Sequence, residues 1–394
     1  MKTLFARLSQ FFRAIWAQLK ALMALDRVRG SRRRTDLKDR SKFGRVMYFV
    51  RPVLALAVII YMTVLIVKTT IIHGDELTYP QRVFLDQEFV VQPGQRIPNP
   101  QEGGPVCEPS QIVAVTSYIL DVLVNQNTWL PSDPQYKIGF FGVVQFGSTP
   151  WFDNKANFQM GALRAVRRVS IELVDLLGRA RGTSAANPLL EDARNALQWS
   201  ERSWVINPFD DRLQLISASA TASYRNAIRA LDDYNQQLME CNATFDSRTD
   251  NLFQLLERIS NDIGGMQAEL AERSKGMRWD IDAKQFVDGT GNNRGFFDFR
   301  ADDLYYRAHG LVWAYHGILQ AARIDFGDQI LSSNLTTIWN RMEQHIAESA
   351  ELKPLVVSNG AEDSLFQPDH LSVLAGNMLR AHANMQELRE IINR

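Results

Sequence analysis

Cysteine is scarce, with two in 394 residues, and there is no CxxC, HExxH, GxSxG elbow or Gly-rich phosphate loop. Thioredoxin-like, zincin, α/β-hydrolase and nucleotide-driven chemistries therefore have no sequence support. A Glu-x-x-His pair is also missing, which removes a di-iron bundle. His309 and His316 share a helix face, but about 10.5 Å of helical rise separates them, too far for one metal ion, so they read as core histidines. No repeat of fixed period stands out, and no cofactor or metal is expected.

What is present is one long apolar run, Pro52 to Ile72, whose only charge is Lys68. At helical rise it covers roughly 30 Å, the thickness of a bilayer core, and Lys68 marks the far headgroups. Charge then sets orientation. Residues 1–72 carry fifteen Lys and Arg against three Asp, a net +12 that the remaining residues balance with −12. Cytoplasmic flanks keep their basic residues, so the N-terminus is expected in the cytoplasm and the acidic C-terminal part outside, in the periplasm of a Gram-negative host. Fifty residues ahead of the apolar run is too long for a signal-peptide n-region, which makes it an anchor.

Met1 to Gly30 is a different membrane signal, a cytoplasmic amphipathic helix. An apolar stripe through Phe11, Phe12 and Trp16 recurs at three- and four-residue steps, while Lys2, Arg7, Arg13 and Lys20 fall off it. Such a helix lies in the headgroup plane of an anionic inner leaflet, or packs on a protein with the same face. Residues 31–51 form a basic connector whose Arg32, Arg33 and Arg34 read as lipid contacts rather than nucleic-acid contacts.

Beyond the span, His73 to Pro109 is rich in proline and reads as an extended stalk with one short strand at Arg82 to Val91. Cys107 and Cys241 fall on the oxidising side. An even count permits one bridge, worth on the order of 4 to 5 kcal/mol through its loop, the alternative being two buried thiols.

From residue 110 to 394 the spacing is helical, giving a mainly α, bundle-like extracytoplasmic domain with a possible subdomain break near 275–300. Helices are expected over 110–127, 154–178, 189–206, 210–240, 249–274, 302–323, 329–352 and 368–392. The helices at 210–240 and 249–274 read as an antiparallel pair, and Gly264 with Gly265 as a kink or a close crossing. Gly276 to Asp303 is a hairpin or lid, with its turn expected at Gly289 to Asn293. Phe140, Phe141, Phe146, Trp151 and Phe152 crowd one loop and either cover the core or form a contact surface.

Asp298, Asp302 and Asp303 gather beside Tyr305 and Tyr306 at a loop-to-helix junction. Paired carboxylates there would suit glycan hydrolysis, while the plainer reading is helix-dipole stabilisation and tyrosine packing. Glu172 with Asp175, and Asp232 with Asp233, read as solvated helix faces.

The runs NTWLPSDP (Asn127 to Pro134), WFDNKANFQMGALRAV (Trp151 to Val166), FDSRTDNLFQLLERI (Phe245 to Ile259) and FRADDLYYRAHGLVWAYHGIL (Phe299 to Leu319) resemble a bacterial group known as domain of unknown function 2333. The resemblance implies single-span inner-membrane proteins and carries no catalytic residue or cofactor. It makes Asn157, Gln159, Asp250 and Asn251 contact candidates, beside Trp151, Phe152, Asp302 and Asp303. Three readings follow. The first is a non-enzymatic scaffold that assembles with itself or docks an envelope partner. The others are a periplasmic ligand-binding or sensory domain and a cell-wall glycan enzyme.

Overall fold

A computed structural model describes residues 42–84, 93, 96–97, 106–139, 146–149, 151–179, 184–203, 219–280, 284–288, 298–361 and 364–393. The proposed surface helix, with Lys2, Arg7, Phe11, Phe12, Arg13, Trp16 and Lys20, lies outside these residues. The chain divides into two compact units, 1–68 and 69–394.

Helix α1 (Lys42–Thr70), all but its last two residues in the first unit, contains Pro52 and ends two residues short of the expected span. Its portion Val50–Thr70 has a mean hydropathy of 2.4 over a helix of 21 residues, long and apolar enough to cross a membrane. Val53, Leu54, Ile60 and Val64 are exposed.

The second unit is mainly α. Its elements are α2 (Tyr79–Val83), β1 (Arg96–Ile97), β2 (Val106–Cys107), α3 (Gln111–Asp121), α4 (Pro134–Ile138), α5 (Asn154–Glu172), α6 (Pro188–Leu197) and α7 (Ala220–Met239). They continue with α8 (Thr249–Lys275), β3 (Met277–Asp280), β4 (Gln285–Asp288), α9 (Phe299–Asp325), α10 (Gly327–Ser332), α11 (Thr336–Glu351) and α12 (His370–Ile392). Caps follow the sequence. Ser110, Ser219 and Asp369 each accept a hydrogen bond from the backbone N–H three residues on, and Gly276 closes α8 in the left-handed conformation.

Helix α9 is the centre. Leu311, Val312, Trp313, Ala314, Tyr315, Ile318, Leu319, Ala321 and Ala322 point in every direction around its axis and all are buried, as a helix surrounded by others requires. It packs chiefly on α5, and also on α11, α3 and α8. The α5 crossing is backbone to backbone: a Cβ added at Gly161 would lie 1.9 Å from the Arg307 carbonyl oxygen, and one at Gly310 would lie 2.0 Å from that of Phe158.

Several expectations need correction. Helices α7 and α8 are not an antiparallel pair; α7 packs on α6 and α3, whereas α8 packs on α12 and α9. The joint between them is held elsewhere, by the Cys107–Cys241 disulfide (Cα atoms 5.4 Å apart) and by the Asp246 N–H donating to Leu177 O at 2.7 Å. Gly264 marks a crossing, not a kink: α8 runs through it unbroken, and a Cβ there would meet His382 at 2.9 Å.

The first part of the stalk is no spacer. Tyr79 of α2 is fully buried, lies 4.7 Å from the Trp313 ring and 5.7 Å from that of Tyr118, and donates from its hydroxyl to Trp313 O. An aromatic of that size outweighs the local proline signal. Arg82 is helical rather than in a strand, and 85–92 lies outside the described residues. The hairpin exists, but β3 and β4 pair Met277 with Asp288 and Asp280 with Gln285, so its closed end lies between Asp280 and Gln285, with Lys284 at φ 50°. Gly289 to Asn293 is outside the described residues. The helix expected over 329–352 is broken at Asn334, where φ is 55°, and α6 ends at Leu197 rather than at 206.

Candidate functional site

Helix α5 shows two opposite stripes. Phe158, Ala162, Leu163, Ala165, Val166 and Val169 face the core. Met160, Arg164, Arg167, Arg168 and Ile171 follow at the same three- and four-residue steps on the other side. That second stripe forms one wall of a cleft of about 470 Å3, closed by Gln198, Glu201 and Arg202 after α6, Asp262 on α8 and Arg307 on α9. Five guanidiniums against two carboxylates leave the lining at +3.

The cleft is built, not merely crowded. Asp262 is buried and accepts from Arg168 Nε at 3.0 Å, Arg164 Nη2 at 3.2 Å and the Tyr315 hydroxyl at 2.8 Å. Burial acts to push its carboxyl up, but the hydrogen bonds from Arg168 and Tyr315 and the charges of Arg168 and Arg164 outweigh it, and the acid stays below its ordinary range. Arg167 is a clamp on the turn after α6: it donates to Leu197 O, Trp199 O and the Glu201 carboxylate, each within 2.8 Å. Arg164 and Arg202 keep much of their surface in solvent, so they are the groups able to meet an incoming anion.

About three turns nearer the start of α5 the charges reverse. Asp153, Asp302 and Asp303 are drawn together where α5 and α9 begin. Burial first, then the charges of the neighbouring Asp303 and Asp302, push the Asp153 carboxyl up. Asp303 also accepts from Asn157 Nδ2 at 2.6 Å, and Asn157 Oδ1 accepts from Arg307 at 3.1 Å. Burial and Asp303 push Asp302 up to about 8.

Asp298 has partners of its own, though its charge also acts to raise Asp302. It pairs with Arg273 and accepts from Asn359 at 2.9 Å. The structure thus divides the three acids that share one stretch of sequence, and adds Asp153. None of Asp153, Asp302 and Asp303 lines either cavity described here.

A second cavity, of about 410 Å3, is walled by Trp151, Tyr305 and Tyr306 and includes Thr70, Ile72, Asp75, Asn154, His309, Leu352, Lys353 and Pro354. Lys353 donates to the Asp75 carboxylate at 2.6 Å. His309 is neutral, its imidazole pushed down to about 4 by burial, and it pairs with Ala350 O at 2.8 Å. His316 pairs with Leu77 O at 3.2 Å. Among the described residues no group of three His, Cys, Asp or Glu side chains is arranged to hold a metal ion.

The remaining candidates are placed individually. Gln159 braces the π-turn that ends the α3 segment, donating to Leu123 O and Thr128 O and accepting from Leu130 N. Asn251 is buried and donates to Asp246 O, whereas Asp250 is exposed in the first turn of α8. The aromatic loop is split: Phe146 is buried against Phe152 and Tyr136, and Trp151 is 61 % exposed. Phe140 and Phe141 lie outside the described residues. Glu172 is not a solvated face; it is buried 3.8 Å from Arg258. Asp232 and Asp233 are exposed, as a solvated face requires, and Asp232 accepts from Ser117 at 2.5 Å.

Reading for acids and histidines missed the arginine wall. Its signal was present in the sequence, three arginines at i, i+3 and i+4 inside an otherwise amphipathic helix, but Arg202, Asp262 and Arg307 reach the same cleft only through the fold. The sequence model of DUF2333, described as an uncharacterised protein conserved in bacteria, matches residues 138–394. No curated protein and no solved structure matches the chain.

Proposed function

The chain belongs to DUF2333, a family conserved in bacteria, and we propose that it is a single-pass inner-membrane protein whose helical domain lies in the periplasm and docks an acidic protein surface. Support for the location comes from the apolar helix Val50–Thr70, the +12 charge up to residue 72 and the disulfide in the C-terminal unit. The docking reading is carried by the cleft of five arginines. Arg164 and Arg168 are preset by Asp262, and planar guanidiniums held in place accept a carboxylate in bidentate geometry with little further ordering. The partner is another envelope protein or a second copy of this chain, whose residues after 72 sum to −12.

A sensory role would use the same cleft for a small anion. The glycan-enzyme alternative is weaker, because Asp298, Asp302 and Asp303 line neither cavity and Asp303 is engaged by Asn157.

Titrating the full-length protein in nanodiscs with a poly-aspartate peptide tests this reading. Binding should weaken as salt rises and fall about tenfold in the Arg164→Ala, Arg202→Ala double variant. Absence of binding, or equal binding by the variant, refutes docking at this cleft. Tighter binding of inorganic phosphate than of the peptide selects the sensory role, and size-exclusion with light scattering identifies a second copy as the partner.

A further inference from the structure

Among the described residues outside α1, three large apolar side chains are more than four-fifths exposed, and all belong to one loop between α11 and α12: Leu355 (99 %), Leu365 (94 %) and Phe366 (85 %). The described residues at its base are folded rather than loose. Ser358 N donates to His370 Nδ1 at 3.0 Å, Ser358 Oγ donates to Pro368 O at 2.6 Å, and Asn359 bridges to Asp369. These bonds hold its base while its apolar tips point at nothing within the protein. Leaving side chains of this size in water forfeits the gain that burial gives them.

The base of this loop adjoins the residues that follow the apolar helix. The Tyr305 hydroxyl donates to Leu352 O at 2.9 Å, the Tyr305 and His370 rings are 6.5 Å apart, and Lys353 pairs with Asp75. Thr70, Ile72 and Asp75 line one cavity with Leu352, Lys353 and Trp151. Thr70 is the last residue of the helix that can span, so covalent connection alone keeps Asp75 close to the bilayer boundary. Whatever Asp75 holds stays there too, and exposed Trp beside such a boundary is a usual interfacial residue.

We propose that Leu355, Leu365 and Phe366, with Trp151, form a membrane-docking surface that inserts among the lipids of the leaflet nearest Asp75. The inference rests on the reading of Val50–Thr70 as a span. Docking would hold the domain at the membrane by two attachments, the covalent tether and the loop, and would leave the arginine cleft facing a partner in a restricted orientation.

The native cysteines are joined to each other, so a single introduced thiol can be labelled in the full chain. An environment-sensitive fluorophore is placed by Leu355→Cys, Phe366→Cys or, on a distant exposed residue, Leu331→Cys. Ile60→Cys reports on the span. All are reconstituted in nanodiscs with and without lipids carrying a nitroxide near the headgroup or at the chain end. Docking predicts blue-shifted emission at 355 and 366 that is lost to the headgroup nitroxide, unshifted emission at 331, and loss at 60 to the chain-end nitroxide. Quenching at 60 without quenching at 355 and 366 overturns the docking loop and leaves the span standing. No quenching at 60 overturns both. A blue shift at 355 and 366 that neither nitroxide quenches puts protein, not lipid, against the loop and also overturns the proposal.

Discussion

The two ends of the α5–α9 pair solve the same problem in opposite ways. At the arginine cleft, Asp262 is buried yet charged, because two guanidiniums and the Tyr315 hydroxyl replace its water. About three turns earlier on each helix, Asp153, Asp302 and Asp303 are drawn together with a single close amide and the more remote Arg307, and burial pushes their carboxyls up instead. The burial is alike; the counter-charge differs. A buried carboxylate with arginines bonded to it fixes a charged cleft that can meet a partner, whereas a buried acid cluster whose arginines are more remote has its carboxyls raised and makes a pH-sensitive joint.

Breaking the pair itself should have the largest effect. Gly310→Val drives side-chain atoms into the Phe158 carbonyl and forces α5 off α9. It should cost more than about 3 kcal/mol in denaturant unfolding and erase both ends together. Arg168→Ala breaks only the charged end: Asp262 keeps Arg164 and Tyr315, so the loss should be about 2 to 3 kcal/mol, and Asp262→Asn in the same background should recover part of it.

The acid end is sharpened by pH. The folded-state values of Asp153 and Asp302 lie above the ordinary 3.8, so the folded chain binds more protons than the unfolded one. Their contribution is fully present below about pH 4 and is lost as pH rises through about 8 for Asp302. Asp302→Asn should therefore raise stability at pH 8 by on the order of 2 kcal/mol and flatten the decline measured by thermal melts between pH 5 and 9. The smallest effect is expected for Arg164→Ala alone. Its side chain is 41 % exposed, so stability should change by less than about 1 kcal/mol, while affinity for the poly-aspartate peptide should fall measurably.

The helical class was legible because apolar residues in α3, α5, α8 and α12 recur at helical steps and their caps are polar. The α9 centre was legible too, since Leu311 to Ala322 is apolar on every side. Partner choice was not. Nothing local says that α8 packs on α12 rather than on α7, and Asp153 meets Asp302 across nearly 150 residues of chain. Local rules also lost to packing where one large side chain decided the matter: Tyr79 pulled a proline-rich segment into the core, against the extended reading its prolines favour. Loop chemistry misled once more at the hairpin. Glycine and asparagine at 289–293 outscored the turn that β3 and β4 use, whose Lys284 tolerates a positive φ without being glycine.

Everything proposed for this chain depends on which side of a membrane the helical body occupies. Fusing alkaline phosphatase to Arg394 in a Gram-negative host measures that directly, since the enzyme matures only where disulfides form. High phosphatase activity in cells is the result expected from a cytoplasmic N-terminus and a single span. An inactive fusion, with the body recovered in the cytosol and Cys107 and Cys241 reduced, would contradict it.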